Sequence, residues 1–261
     1  MRRIVHLSDL HFGSTSPRLL DPLVEEVARL SPDLVAISGD FTQRARPWQF
    51  AEARAFLDRI TAPVLCVPGN HDTPLDNLFL RLFNPWGRYR RHIDPDLEPV
   101  FADAELLAVG VNTVNRFAWQ QGRLSRRTLS RLLDAFGQDD GRCRIVVCHH
   151  PLEHLPGTAK APTRGAGRAL QALHHCGADI VLCGHVHTVH HAPFTAAPGV
   201  LFVQAGTGLS SRLRDQENSF NLLEIDRDEA RLTAIAAGEA ARFRPLETAL
   251  FRQQAECWRR A

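Results

Sequence analysis

Ile180-Val181-Leu182-Cys183-Gly184-His185-Val186-His187 is the stretch on which the fold reading turns. Its apolar run is too short for a helix, and its Val, Ile and Leu suit a strand buried on both faces. The run stops at a glycine, which permits a sharp exit turn, and then delivers two histidines. Four other segments repeat this plan. Ile4-Val5-His6-Leu7 leads into Asp9 and His11, and Leu34-Val35-Ala36-Ile37 into Gly39-Asp40. Val64-Leu65-Cys66-Val67 leads into Gly69-Asn70-His71-Asp72, and Ile145-Val146-Val147-Cys148 into His149-His150. Ligands of open α/β sheets bind just beyond the carboxyl ends of the strands. The plan is therefore expected to gather all five polar clusters along one edge of one sheet. Asp, His and Asn converging there read as a metal site.

Between these runs lie amphipathic stretches with helical spacing: Leu19 to Leu30, Pro47 to Ile60, Ser125 to Phe136 and Gly167 to Cys176. Asp21 and Pro22 suit a first turn, and Ser125 suits a cap. The β-α-β-α-β order argues for parallel strands joined by crossovers. After Gly184 the pattern changes. His187 to Phe194, Val200 to Ala205, Phe220 to Ile225 and Ala230 to Ala236 read as strands, with Asp226-Arg227-Asp228-Glu229 as a hairpin turn. A second, more antiparallel sheet packed on the first is expected. The fold class is α/β: a layered α/β/β/α sandwich of two mixed sheets flanked by helices, with the metal centre at the carboxyl-terminal edge of the strands. No repeat, low-complexity segment or clean linker divides the chain, so residues 1–261 read as a single domain. Leu246, Leu250, Phe251 and Trp258 make 240–261 a docking tail, either as a helix on the body or against a partner chain.

The 31 Lys and Arg residues against 29 Asp and Glu leave a formal net charge of +2. Nothing in that balance demands nucleic acid or an anionic membrane. No signal-peptide h-region and no apolar stretch of transmembrane length are found. The six cysteines show no CxxC spacing, and Cys66, Cys148 and Cys183 sit at the ends of apolar runs as small buried thiols. Reduced thiols and a cytoplasmic location are the expectation.

Asp9-x-His11 and Gly39-Asp40 are weak signals alone, although two residues apart on an extended chain Asp9 and His11 would share a face and could bind one ion. Asn70 beside His71 at a strand exit is stronger, because a core has little use for it. His185-x-His187 is the strongest, since two histidines at that spacing can face one site. In order, these clusters resemble the calcineurin-like metallophosphoesterase superfamily, whose motifs run DxH, GD, GNHD, H and GHxH over positions 9 to 187. The resemblance implies two metal ions. Asp9, His11, Asp40 and His187 would hold one ion, and Asp40, Asn70, His149 and His185 the other, with Asp40 bridging. His149 is chosen over His150 because the family ligand precedes any residue and then often Pro, as in His149-His150-Pro151, and because strand alternation would point only one of the pair inward. All these donors are N or O atoms, which suits Mn, Fe or Zn. His71 matches the family histidine that binds no metal and would stabilise developing charge or protonate the leaving oxygen.

Departures narrow the resemblance. Gln43 stands where the family's protein phosphatases carry an Asp and its purple acid phosphatases a Tyr. Lipid A pathway pyrophosphatases tend to carry Arg at the position of His71, and the repair nucleases usually add a longer cap. The nearest resemblance is to bacterial class III cyclic-nucleotide phosphodiesterases and their relatives. It implies hydrolysis of a small phosphodiester, with a 3′,5′-cyclic nucleotide as one candidate. A phosphomonoesterase or a nuclease is the alternative, and a non-catalytic scaffold the remote one, since every ligand position is filled. Nucleic acid stays open as a substrate and a homodimer as an assembly; no membrane partner is expected. Residues 74–98, with Phe83, Trp86, Tyr89, Arg88, Arg90 and Arg91, read either as a substrate flap or as a surface excursion. Arg212 and Arg214 are a second candidate for substrate contact.

Overall fold

Alternation along the buried strands sets the layers. In β1 (Arg2–Leu7), Ile4 faces one core while Val5 and Leu7 face another. In β2 (Leu34–Ile37), Leu34 and Ala36 share the side of Ile4, and Val35 and Ile37 the side of Val5. A period of two on strands buried on both faces requires a partner layer on each side. The outer partners of β1, β2 and β3 (Val64–Cys66) are α1 (Leu20–Leu30) and α2 (Pro47–Leu57), joined as parallel crossovers. The inner partner is a second sheet. The computed structural model describes residues 1–137, 140–155, 157–158, 160–211, 216–226, 228–238 and 240–261.

Two short helices, α3 (Leu78–Phe83) and α4 (Gly87–His92), follow β3 and lead to β4 (Val100–Ala102) and β5 (Leu106–Val111). Next come α5 (Arg126–Phe136), β6 (Cys143–Cys148), α6 (Ala166–His175), β7 (Ile180–His187), β8 (His190–Phe194) and β9 (Ala197–Gly206). Strands β4 to β9 form a six-stranded sheet in the order β4-β5-β6-β7-β9-β8. Ile145, Val147, Ile180 and Leu182 meet Ile4, Leu34 and Ala36 in the core between the sheets. Val146, Cys148, Val181 and Cys183 face α5 and α6 outside. Ser125 caps α5 as expected, its hydroxyl accepting from the Thr128 amide at 3.0 Å.

The four remaining strands, β10 (Ser219–Asp226), β11 (Glu229–Ala237), β12 (Phe243–Gln254) and β13 (Cys257–Arg260), join β1 rather than the second sheet. They give a seven-stranded sheet in the order β13-β12-β11-β10-β1-β2-β3. Two expectations are corrected here. The strands after Gly184 are split between the sheets, and so are the cluster-bearing strands, β1 to β3 in one sheet and β6 and β7 in the other, so the polar clusters lie where the edges of two sheets meet. The tail is no helix: β12 and β13 form a hairpin that points Phe251 and Trp258 into the inter-sheet core. Asp226 pairs with Glu229 as a hairpin turn requires, while Arg227 within it lies outside the described residues. Arg212 and Arg214 also lie outside them.

Candidate metal centre

Asp9 and His11 follow β1, Asp40 follows β2, and Asn70, His71 and Asp72 form a single 3-10 turn after β3. His149 follows β6, and His185 and His187 end β7. The two sheets thus contribute facing halves. Asp9, His11, Asp40, His185 and His187 all adopt left-handed backbone, with φ of 52°, 53°, 55°, 75° and 66°. Each such non-glycine residue costs about 1 kcal/mol or more, and strain of this kind collects at functional sites. This corrects a local expectation: Asp9 and His11 converge because each backbone is bent, not because an extended chain alternates.

Three sets of donor atoms lie within 4.8 Å of one another: Asp9–His11–His187, Asp9–Asp40–His149 and His149–His150–His185. Shared members join them into one continuous centre, with His187 at one end and His185 at the other. His187 Nε2 is 2.9 Å from Asp9 Oδ1, and His11 Nε2 is 3.6 Å from the same oxygen. Asp40 Oδ2 is 3.4 Å from His149 Nε2 and 3.9 Å from His11 Nε2. Asn70 Oδ1 lies 3.2 Å from His149 Nε2.

The surrounding groups hold these donors in place. Asp9 Oδ2 accepts from the Ser8 hydroxyl at 2.6 Å and the His185 amide at 2.9 Å. Asp40 Oδ1 accepts from the His71 amide at 2.8 Å. His149 Nδ1 donates to the Ser38 carbonyl at 2.7 Å, which turns its Nε2 lone pair into the centre. Buried Asp72 accepts from the amides of Phe41, Thr42 and Gly69, stapling the Asp40 loop to the Asn70 turn. Burial and the charge of Asp40 raise its carboxyl to about 6.

The donor set fits cations. Asp9 and Asp40 are fully buried carboxylates, a costly state without a counter-charge. Burial works to raise both, yet the neighbouring His187 and His149, respectively, hold them well below the usual carboxylate range. Burial lowers His11, His150 and His185, which keeps their rings neutral and their lone pairs available. Against its own burial, His149 is raised to about 9 by Asp40; a cation bound there would take the place of that proton. His150 Nε2 is buried without a hydrogen-bond partner among the described residues, and Asp9 Oδ1 faces the rings of His187 and His11.

A model of the calcineurin-like phosphoesterase family matches residues 2–189. The chain belongs to that family. Among curated relatives of this phosphoesterase, the glycerophosphodiester phosphodiesterase GpdQ of Enterobacter lignolyticus is 29% identical over 210 residues, 71% of each chain. A probable cyclic nucleotide phosphodiesterase of Synechococcus is 28% identical over 165 residues, 60% of this chain and 58% of that one. The UDP-2,3-diacylglucosamine pyrophosphatase LpxG of Chlamydia trachomatis is 24% identical over 266 residues, 90% of this chain and 77% of that one. Among solved structures, the purple acid phosphatase of yellow lupin superposes with a TM-score of 0.73 at 15% identity. It shares the fold over 95% of this chain, which spans 53% of the lupin protein.

Within the phosphoesterase centre the sequence reading missed several residues. His150 was set aside on the argument that strand alternation would point only one of the pair inward. Strand β6 ends at Cys148, so alternation does not apply, and both rings are buried beside His185, with centroids 5.1 Å and 4.6 Å from it. Thr113 bonds His150 Nδ1 at 2.8 Å. Lys160, the chain's single lysine, donates to the His185 carbonyl. The Gln43 side chain does not orient His71; its backbone carbonyl does, accepting from His71 Nδ1 at 2.8 Å. Tyr89 is fully buried against Phe41, so it anchors the 74–98 segment and cannot stack on a substrate. A cavity of about 1180 Å³ lies at the opposite ends of the strands, beside Arg2, Cys143 and Asp179.

Proposed function

We propose that this phosphoesterase is a two-metal phosphodiesterase acting on a small phosphodiester. The observation that carries the reading is the continuous run of buried donors from His187 through Asp9 and Asp40 to His185. Asp9, His11, Asp40 and His187 would hold one ion, and Asp40, Asn70, His149 and His185 the other, with Mn, Fe or Zn matching the N and O donors. When bound, such a pair supplies Lewis-acid polarisation of the phosphoryl group and stabilises in-line displacement.

The chain's own residues divide the remaining work. His71 is fixed at Nδ1 by the Gln43 carbonyl, which leaves Nε2 as the atom that exchanges a proton with the leaving oxygen. Asp40 holds the His71 backbone by accepting its amide, so the proton donor and the bridging carboxylate move together. Burial of the His150 and His185 rings keeps water from that end of the centre.

A diester is favoured over a monoester because two relatives, 29% and 28% identical to this chain, carry phosphodiesterase names. The pyrophosphatase name of two other relatives, one matched over 90% of this chain and one 38% identical over 73 residues, supports a second reading, cleavage of a diphosphate linked on both sides. A panel with added Mn²⁺ tests both: an aryl diester, its monoester, a 3′,5′-cyclic nucleotide, a glycerophosphodiester, a nucleoside diphosphate sugar and single-stranded DNA. The proposal expects diesters to exceed the monoester by at least tenfold. A monoester preference would overturn it, and a faster nucleoside diphosphate sugar would move the assignment to the pyrophosphatase reading.

A further inference from the structure

Helix α3 is built inside out. Its Arg81 is buried, while Leu78, Phe79 and Phe83 are 66%, 68% and 72% exposed. Arg81 donates to Thr73 Oγ1 at 2.7 Å and to the Ala118 carbonyl at 2.6 Å, and its guanidinium lies over the Trp119 ring. These bonds fix α3 to the loop carrying Phe117 and Trp119, themselves 69% and 67% exposed. Five large apolar side chains therefore stand out together on two segments held by one buried cation. Solitary exposed apolar residues need no explanation, but a gathered set marks a contact surface.

Charge identifies the partner. Residues 73–93 and 112–131 together carry nine arginines and one carboxylate, Asp76, although the whole chain carries only +2. Asp76 is taken up by Arg46 and Arg88. Arg90, Arg91, Arg116, Arg123, Arg126 and Arg127 are all exposed. Arg123 and Arg126 line a 470 Å³ cavity with Arg164 and Arg168. Apolar tips ringed by arginines match an anionic lipid surface, where side chains enter the acyl boundary and guanidiniums meet headgroups. Leu78 and Phe79 offer insertion, and leucine offers no ring for stacking on bases, so a nucleic acid fits less well.

The face also borders the metal centre. Thr73, which receives Arg81, donates to the Asn70 carbonyl at 2.9 Å. On the other segment, a Cβ placed at Gly122 would lie 2.5 Å from the His150 ring. We infer that the face formed by residues 73–93 and 112–131 docks this enzyme on an anionic lipid surface beside its active site. The low overall charge, which by itself demands no anionic membrane, hides this local asymmetry.

Vesicle flotation of the full chain tests the inference without any substrate, so its failure is separable from failure of the hydrolase reading. Vesicles of phosphatidylglycerol with phosphatidylcholine should retain the protein, and phosphatidylcholine alone should not. Arg90→Ala and Arg91→Ala should each lower partitioning about fivefold. Phe79→Ser with Phe83→Ser, or Phe117→Ser on the other segment, should abolish retention while melting temperature and aryl-diester hydrolysis stay at wild-type values. Retention that ignores these substitutions, or no retention, would overturn the inference. So would a wild-type dimer in light scattering that Phe79→Ser with Phe83→Ser dissociates without vesicle binding, which assigns the face to a second copy. Arginine-dependent binding of single-stranded DNA with no vesicle binding would assign it to nucleic acid.

Discussion

The His185 amide donates to Asp9 Oδ2 at 2.9 Å, joining residues 176 positions apart and the edges of two different sheets. This bond sets how closely the halves of the centre approach. It depends on Gly184, where a Cβ would fall 1.9 Å from Ser8 Oγ and 2.7 Å from Asp9 Oδ2.

Gly184→Ala is therefore expected to push the sheets apart at the centre. The cost should be roughly 1–3 kcal/mol of stability, as for other overpacked sites. Chemical denaturation and metal analysis check this. An unchanged midpoint with full metal content would show that the approach tolerates the added carbon.

Asp40 is the carboxylate shared between the two halves, with Oδ2 near both His149 and His11. Asp40→Ala should lose bound metal and hydrolysis together. Metal analysis beside an aryl-diester assay decides it, and full activity with stoichiometric metal would remove Asp40 from the centre.

His71 lies half-buried at the mouth, its ring centroid 4.9 Å from that of His11. His71→Ala should keep the metal and lower kcat by roughly 10²- to 10⁴-fold, the usual contribution of a positioned proton donor. A compensating gain for substrates whose leaving oxygen needs no proton would place the loss at the proton-transfer step. Equal losses for all leaving groups would argue for a charge-stabilising role instead.

His6 is buried beneath the centre between Ser38 and Asn221, and burial lowers it to about 3 from an ordinary 6.5. Below pH 6.5 the unfolded chain takes up a proton there that the folded chain refuses. Stability from this group is complete above pH 6.5 and is lost as pH falls toward 3, by at most about 1.4 kcal/mol per pH unit. Denaturation midpoints of metal-free protein across pH 4 to 8 should fall on the acid side, and a His6→Gln variant should show a shallower slope. Equal slopes would show that the ring escapes its buried position before it titrates.

Periodicity carried the helices and strands that bury a face: Pro47 opens α2, Ser125 caps α5, and the Val- and Ile-rich runs became β1, β2, β6 and β7. It failed at 240–261, where Phe251 and Trp258 look helical in spacing but alternate across β12 and β13 into the inter-sheet core. Residues 74–98 were half legible. Their aromatic and arginine content stood out, but only packing shows that Tyr89 is core and Phe83 is not.

Residue chemistry and order pointed to candidate donors, because Asp, His and Asn placed just past buried strands have few other uses, and the family resemblance sorted them into two sets. The family resemblance already assigned His187 and His185 to different ions, and the tertiary structure supplies the physical reason. His185 and His187 sit two apart yet serve opposite ends of the centre, since left-handed backbone at both turns them to different neighbours. Tertiary structure alone decided that the centre spans two sheets, because pairing of β10 with β1 is a long-range choice that local pattern does not encode. The burial of His150 beside His185 follows from the same cause: where β6 ends, alternation ends, and the surrounding packing determines where each ring lies.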